Sequence, residues 1–138
     1  MIDKFIKAIC EELNIPIPKV SNDTSAFLTP TMLALFHNGT IYIKKSDKPN
    51  PDILFAIAHE LRHAWQLQTD EELYFSNYKS ANELSVVEYN LQPAEVDANA
   101  YASVIMSDYF GLKPLFNGLP EEVTTAIRKR ILEVLDAV

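Results

Sequence analysis

A chain of 138 residues is long enough for one domain with one core, and nearly half of its residues are hydrophobic, so disorder by composition is excluded. The formal net charge of −7 and the shortness of every Lys/Arg run speak against a nucleic-acid binder, which needs an excess of cations to neutralise phosphate. The one cysteine, Cys10, cannot make an internal disulfide. Neither a signal-peptide core nor an apolar stretch of about 18 residues is read, so a cytoplasmic protein with no membrane span is expected.

The first element is an amphipathic helix. Ile2, Phe5, Ile6, Ile9 and Leu13 recur at helical spacing, and Cys10 is expected to be a packed thiol on it. The segment NIPIPK stops the helix with two prolines, and VSNDTS reads as a loop. Residues 31–45, TMLALFHNGTIYIKK, predict a hairpin turning at His37-Asn38-Gly39-Thr40, because Asn-Gly tolerates the positive φ that such a turn needs. KSDKPNPD then breaks the chain, with Asn50 or Asp52 placed to cap the next helix and Pro51 suited to its first turn.

That next helix is expected from Pro51 to Gln68, with Ile53, Ile57, Leu61, Ala64 and Leu67 as its apolar stripe. Residues 69–92 are read as loops with one short helix opened by a Ser85/Glu88 capping box. A further helix opens at Pro93 and stops at Gly111. KPLFNGLP is a loop, and the last helix starts near Pro120 with Val123, Ile127, Ile131, Val134 and Leu135 inward. The expected fold is α+β, a single domain over 1–138, mostly helical with a small antiparallel sheet.

The chemistry is concentrated in ILFAIAHELRHAWQLQ, residues 53–68, which carries two of the three histidines. Residues four apart on a helix share a face, so His59 and His63 can send two imidazoles to one point. Such a pair suits zinc, which takes nitrogen ligands at about 2.0–2.1 Å. Glu60 is turned by about 100° from His59, where it can reach a water beside the metal as general base. His59-Glu60-Leu61-Arg62-His63 therefore matches the HExxH arrangement of zinc peptidases.

Zinc needs at least one more protein ligand. His37 is read as a turn residue, and Cys10 lies on an apolar face. Carboxylates remain, and QPAEVDANAYA supplies them. Glu95 shares a helix face with Ala98, Asn99, Ala102 and Met106, a mostly small-residue face that lets another helix approach. Asp97 is turned by about 200° from Glu95 and suits a hydrogen bond to a ligand histidine. Glu95 is thus the expected third ligand, with Asp97 the alternative. Taken singly, each is also an ordinary first-turn acid facing a helix dipole.

HELRH followed some thirty residues later by EVDANAYA resembles the HExxH…ExxAN-x-aromatic-A pattern of the ImmA/IrrE-type metallopeptidase-like family. These are gluzincin-like zincins of bacteria, phages and mobile elements. The strand TIYIKK leading through a polar turn into the motif helix is similar to that family's layout, and the resemblance spans roughly residues 40–110. It implies a zincin-like fold, zinc held by His59, His63 and Glu95, Glu60 as base, and hydrolysis of a peptide bond in a protein or peptide substrate. The family is associated with cleaving repressors; no appended domain is read here, so the substrate is expected to be another chain. Arg62 stands where the family commonly has a small residue, and is expected to reach solvent or to contact substrate.

Tyr78, Tyr89 and Tyr101 are candidates to stabilise an oxyanion, and Trp65 is expected to pack. Two other classes of function fit the same residues. One is a non-catalytic zinc-binding interaction or sensor module, marked by a site closed with a fourth protein ligand. The other is a helical interaction protein without metal.

Overall fold

The computed structural model describes residues 1–47, 50–113, 116 and 118–136. Lys48 and Pro49 of the break before the central helix, and Pro114, Leu115 and Asn117 of the expected KPLFNGLP loop, lie outside the described residues. Helix α1 (Ile2–Leu13) buries Phe5, Ile6, Ile9, Cys10 and Leu13 and ends at Asn14, which takes the left-handed conformation with φ 55°. Asparagine tolerates that conformation better than most residues, and it lets the Ile15 N–H close on the Cys10 carbonyl at 3.0 Å.

Three strands follow: β1 (Lys19–Ser21), β2 (Ala34–His37) and β3 (Thr40–Ile43). The β2–β3 hairpin turns as expected, with Asn38 and Gly39 both at positive φ. The sheet is not purely antiparallel, however. Its order is β1-β3-β2, and β1 runs parallel to β3 with Val20 opposite Ile41. β1 falls partly in the segment read as a loop. Val20 is largely exposed, so the strand carries no hydrophobic signal and is defined by pairing alone.

Helix α2 (Pro51–Phe75) is capped by Asn50, whose side chain accepts from the Asp52 N–H, with Pro51 in its first turn. It outruns the expected end at Gln68. The helical backbone breaks at Asp70 (φ −159°, ψ 74°), where the Asp70 carboxylate accepts from the Leu73 N–H at 3.1 Å and starts a second helical piece. The main piece is buried on more than its apolar stripe. Ile53, Ile57 and Leu61 are joined in the interior by Leu54, Ala58, Arg62 and Gln66, while Leu67 is exposed.

Helix α3 (Val86–Asn90) carries the expected capping box between Ser85 and Glu88. Helix α4 (Pro93–Phe110) stops at Gly111, at φ 65°. Helix α5 (Glu121–Asp136) buries Val123, Ile127 and Val134; Ile131 is partly buried, and Leu135, expected inward, is about half exposed. Helix α2 is the centre of the arrangement: α1 and the sheet pack on it, α4 packs on it most extensively, and α5 packs on α4. Ala94, Ala98 and Ala102 of α4 are wholly buried, and such small side chains allow close helix approach. The result is an α+β fold, mostly helical, with a small mixed sheet. Among the described residues no helix is long and apolar enough to cross a membrane.

Candidate metal centre

Polar groups are costly in an interior unless they find partners. The buried polar side chains among the described residues are Arg62, Gln66, Glu95, Asp97 and Ser103. All but Ser103 gather around His59 and His63, and none of the described buried polar side-chain atoms lacks a hydrogen-bond partner.

One turn of α2 brings the Nε2 atoms of His59 and His63 to 3.1 Å. From α4, Glu95 places Oε1 at 3.2 Å from His59 Nε2 and Oε2 at 3.1 Å from His63 Nε2. Ligands about 2.0–2.1 Å from a tetrahedral zinc are separated by about 3.4 Å, so two imidazole nitrogens and the carboxylate of Glu95, one oxygen toward each ring, converge at nearly the spacing of one metal's coordination shell. Glu60 stands further off, with Oε2 at 3.8 Å and 3.9 Å from the two Nε2 atoms. Its Oε1 accepts the Phe36 N–H at 2.9 Å, which ties it to β2. His59, Glu60 and His63 form a group that could hold a metal ion, their ligand atoms within 4.8 Å of one another.

Each imidazole is oriented from behind. His59 Nδ1 lies 2.8 Å from Asn99 Oδ1, and His63 Nδ1 lies 2.8 Å from Gln66 Oε1. Amide oxygens only accept, so both Nδ1 atoms carry hydrogen. In the neutral rings the Nε2 lone pairs then face each other and a carboxylate, which is a donor set that fits a cation. Without a metal, a proton takes that role. Burial opposes charge on His63, but the hydrogen bond and charge of Glu95, aided by Glu60, raise its pKa to about 9. For Glu95, burial is likewise outweighed, by His59 and His63, and its pKa is held well below the ordinary carboxylate range.

Above the pair, the Phe75 ring lies edge-on to His63 at 6.0 Å. The Tyr78 hydroxyl donates to Glu95 Oε2 at 2.8 Å, and Tyr89 lies 3.1 Å from it, hydroxyl to hydroxyl. Burial, reinforced by the charge of Glu95, pushes Tyr78 far above its usual pKa and Tyr89 up to about 12. Both therefore remain donors at neutral pH. Tyr101 is elsewhere, with its hydroxyl 3.4 Å from Glu12. His37 also stands apart, bonded to the Asn38 amide at the hairpin turn.

Two expectations are corrected. Arg62 does not point to solvent; it is buried, with Nε and Nη2 on the two Asp97 oxygens at 2.7 and 3.0 Å. Its guanidinium carbon lies 3.6 Å from the centre of the Trp65 ring and 4.6 Å from that of Tyr101. Asp97, in turn, bonds no histidine. It binds Arg62, the Gln66 amide at 2.8 Å and Arg130 Nε at 2.9 Å, so its reach to His63 is indirect. The groups touching the imidazoles, Asn99 and Gln66, had no assigned role. Their signal was spacing: Gln66 is three residues after His63, and Asn99 is four after Glu95, on the same face.

Asp97→Ala is expected to destabilise the fold by about 3–5 kcal/mol, because it leaves Arg62 as a buried, unpaired charge. Denaturant unfolding at neutral pH measures this. Burial disfavours the Asp97 carboxylate, yet Arg62, Gln66 and Arg130 keep its pKa lowered. The stabilisation is therefore complete above the unfolded value of about 4 and is lost as pH falls through the lowered one.

Comparison of the chain with family models, with curated proteins and with solved structures gives no match in any of the three. The likeness to the ImmA/IrrE-type family thus stays with the two motifs that carry it.

Proposed function

We propose that this chain is a zinc-dependent metallopeptidase of zincin-like, gluzincin-like kind, with His59, His63 and Glu95 as zinc ligands. The observation that carries this is the convergence of the two Nε2 atoms and the Glu95 carboxylate, one oxygen toward each ring, at 3.1–3.2 Å, with both imidazoles turned so that Nε2 faces inward. Zinc, when bound, supplies a Lewis acid that polarises the scissile carbonyl and acidifies water. Glu60 takes the proton of the attacking water and returns it to the leaving amine. Its Oε1 is spent on Phe36 N–H, which leaves Oε2 directed at the three-ligand centre. Tyr78 gives its one hydroxyl hydrogen to Glu95, so Tyr89 donates to Tyr78, and either tyrosine reaches a developing oxyanion only by giving up that bond.

The substrate is an extended peptide. β2 is a sheet edge. The Lys44 N–H bonds the Leu33 carbonyl, so in the antiparallel alternation the backbone groups of Ala34 and Phe36 face away from β3; the Phe36 N–H is taken by Glu60, which leaves both Ala34 groups and the Phe36 carbonyl for a partner. A peptide paired along that edge passes Glu60. Repressor-type regulators are the first class to try, given the family that the motifs resemble, and a reducing cytoplasm suits the lone, buried Cys10.

The test uses protein prepared without chelator and a mixture of peptides followed by mass spectrometry. One zinc per chain with cleavage supports the proposal. Zinc without cleavage favours the alternative, a non-catalytic binding or sensor module, and no metal at all sinks both. Zinc must also displace the proton on His63. Calorimetry in buffers of different ionisation enthalpy is expected to show proton release at neutral pH, with the apparent affinity rising with pH up to about 9.

A further inference from the structure

We propose that Gln66, aimed by Asp97 and Arg130, is a positioning residue that sets which nitrogen of His63 faces the metal, so that helix α5 is coupled to the metal centre. This goes beyond the ligand set and rests on the metal-site reading above. An amide side chain has two ends, and its direction follows from its partners. Gln66 Nε2 lies between two acceptors, the Ala94 carbonyl at 2.9 Å and Asp97 Oδ2 at 2.8 Å. Turned over, the amide would set oxygen against both and offer N–H to His63 Nδ1. His63 would then carry its hydrogen on Nε2, where the ligand lone pair is needed. Asp97 and Ala94 therefore decide the tautomer through Gln66.

Asp97 is itself aimed. Arg62 grips both its oxygens and is wedged between Trp65 and Tyr101. Arg130 reaches from α5 to Asp97 Oδ1, with Nε at 2.9 Å and Nη2 at 2.8 Å. These bonds share one carboxylate, so its orientation depends on both guanidiniums. Arg130 is the outer, partly exposed end of the relay, and Gln66 is the inner end against the ligand.

The experiment is a double-mutant cycle on the full chain, read as zinc affinity in competition with a chromophoric chelator. Gln66→Met keeps length and burial and is expected to weaken zinc binding by about 10–100-fold. Arg130→Ala is expected to weaken it by several-fold, up to about tenfold, and Arg130→Lys to restore most of that. In the Gln66→Met background, Arg130→Ala is expected to change the affinity by less than about twofold, because its route to His63 is already gone. A full Arg130 effect in both backgrounds, or unchanged affinity in Gln66→Met, overturns the inference while zinc binding by the unsubstituted chain stands. Absence of zinc binding in the unsubstituted chain overturns the metal-site reading and the inference together. Should the Met variant not fold, the Arg130 pair decides: weakening in Arg130→Ala that Arg130→Lys restores supports the relay, and unchanged affinity in Arg130→Ala overturns it.

Discussion

Glu60→Gln protein is expected to bind zinc as the unsubstituted chain does and to hydrolyse peptides about 10²–10⁴-fold more slowly, the usual contribution of a positioned proton acceptor. The substitution keeps the side-chain length and an oxygen for the Phe36 N–H, which Glu60 Oε1 now accepts at 2.9 Å. It removes only the basic oxygen, and that oxygen stands at 3.8 and 3.9 Å from the imidazole nitrogens, further out than the Glu95 oxygens. Metal retention and loss of turnover are thus separable at this residue. Undiminished cleavage by Glu60→Gln would falsify the proposed chemistry, and loss of zinc would make Glu60 a ligand.

Glu95→Gln is expected to abolish tight zinc binding and, with it, the stabilisation that zinc brings. An ion present at about 1,000 times its dissociation constant stabilises the fold that binds it by about 4 kcal/mol. The native chain is expected to show that gain in thermal unfolding with and without zinc, whereas Glu95→Gln shows almost none. His59→Ala is expected to behave alike. The metal-free chain also loses something in Glu95→Gln, because Glu95 supports the proton on His63. A raised histidine pKa stabilises fully below the ordinary value of about 6.5 and ceases to do so as pH rises through about 9. The metal-free difference between the two proteins is therefore expected to be full only between about pH 4.5, above which unfolded Glu95 is ionised, and about 6.5, and to fade on either side. Zinc stabilising Glu95→Gln as much as the native chain would remove Glu95 from the ligand set.

Local rules made much of this legible. The 3.6-residue period located the helices, Asn38-Gly39 the hairpin turn, Ser85 and Glu88 the capping box, and Gly111 a helix end. The pairing of His59 with His63 follows from helical spacing, and the approach of Glu95 follows from the small residues that share its helix. Partners far apart in sequence were illegible. β1 has no apolar alternation and exists because Thr40–Ile43 offers it a register. Arg62 looked like a surface cation because its carboxylate is 35 residues away. Arg130 is 33 residues from the same carboxylate, on a helix whose polar face gave no sign of an inward contact. Asp70 lies in a stretch read as loops, and only the backbone shows that it restarts the helix.

The break at Asp70 decides what covers the histidines. Beyond it the chain doubles back, so that Phe75 lies over His63 and Tyr78 is fastened to Glu95, yet residues 67–73 are all exposed. The segment is held by Gln68 on the Asn14 carbonyl, by buried Tyr74 and by Tyr78 on Glu95, while its outer face lies in solvent. Substitutions on that outer face are therefore expected to leave the cover over His63 in place, whereas loss of the Asp70 cap that restarts the helix is expected to unseat it.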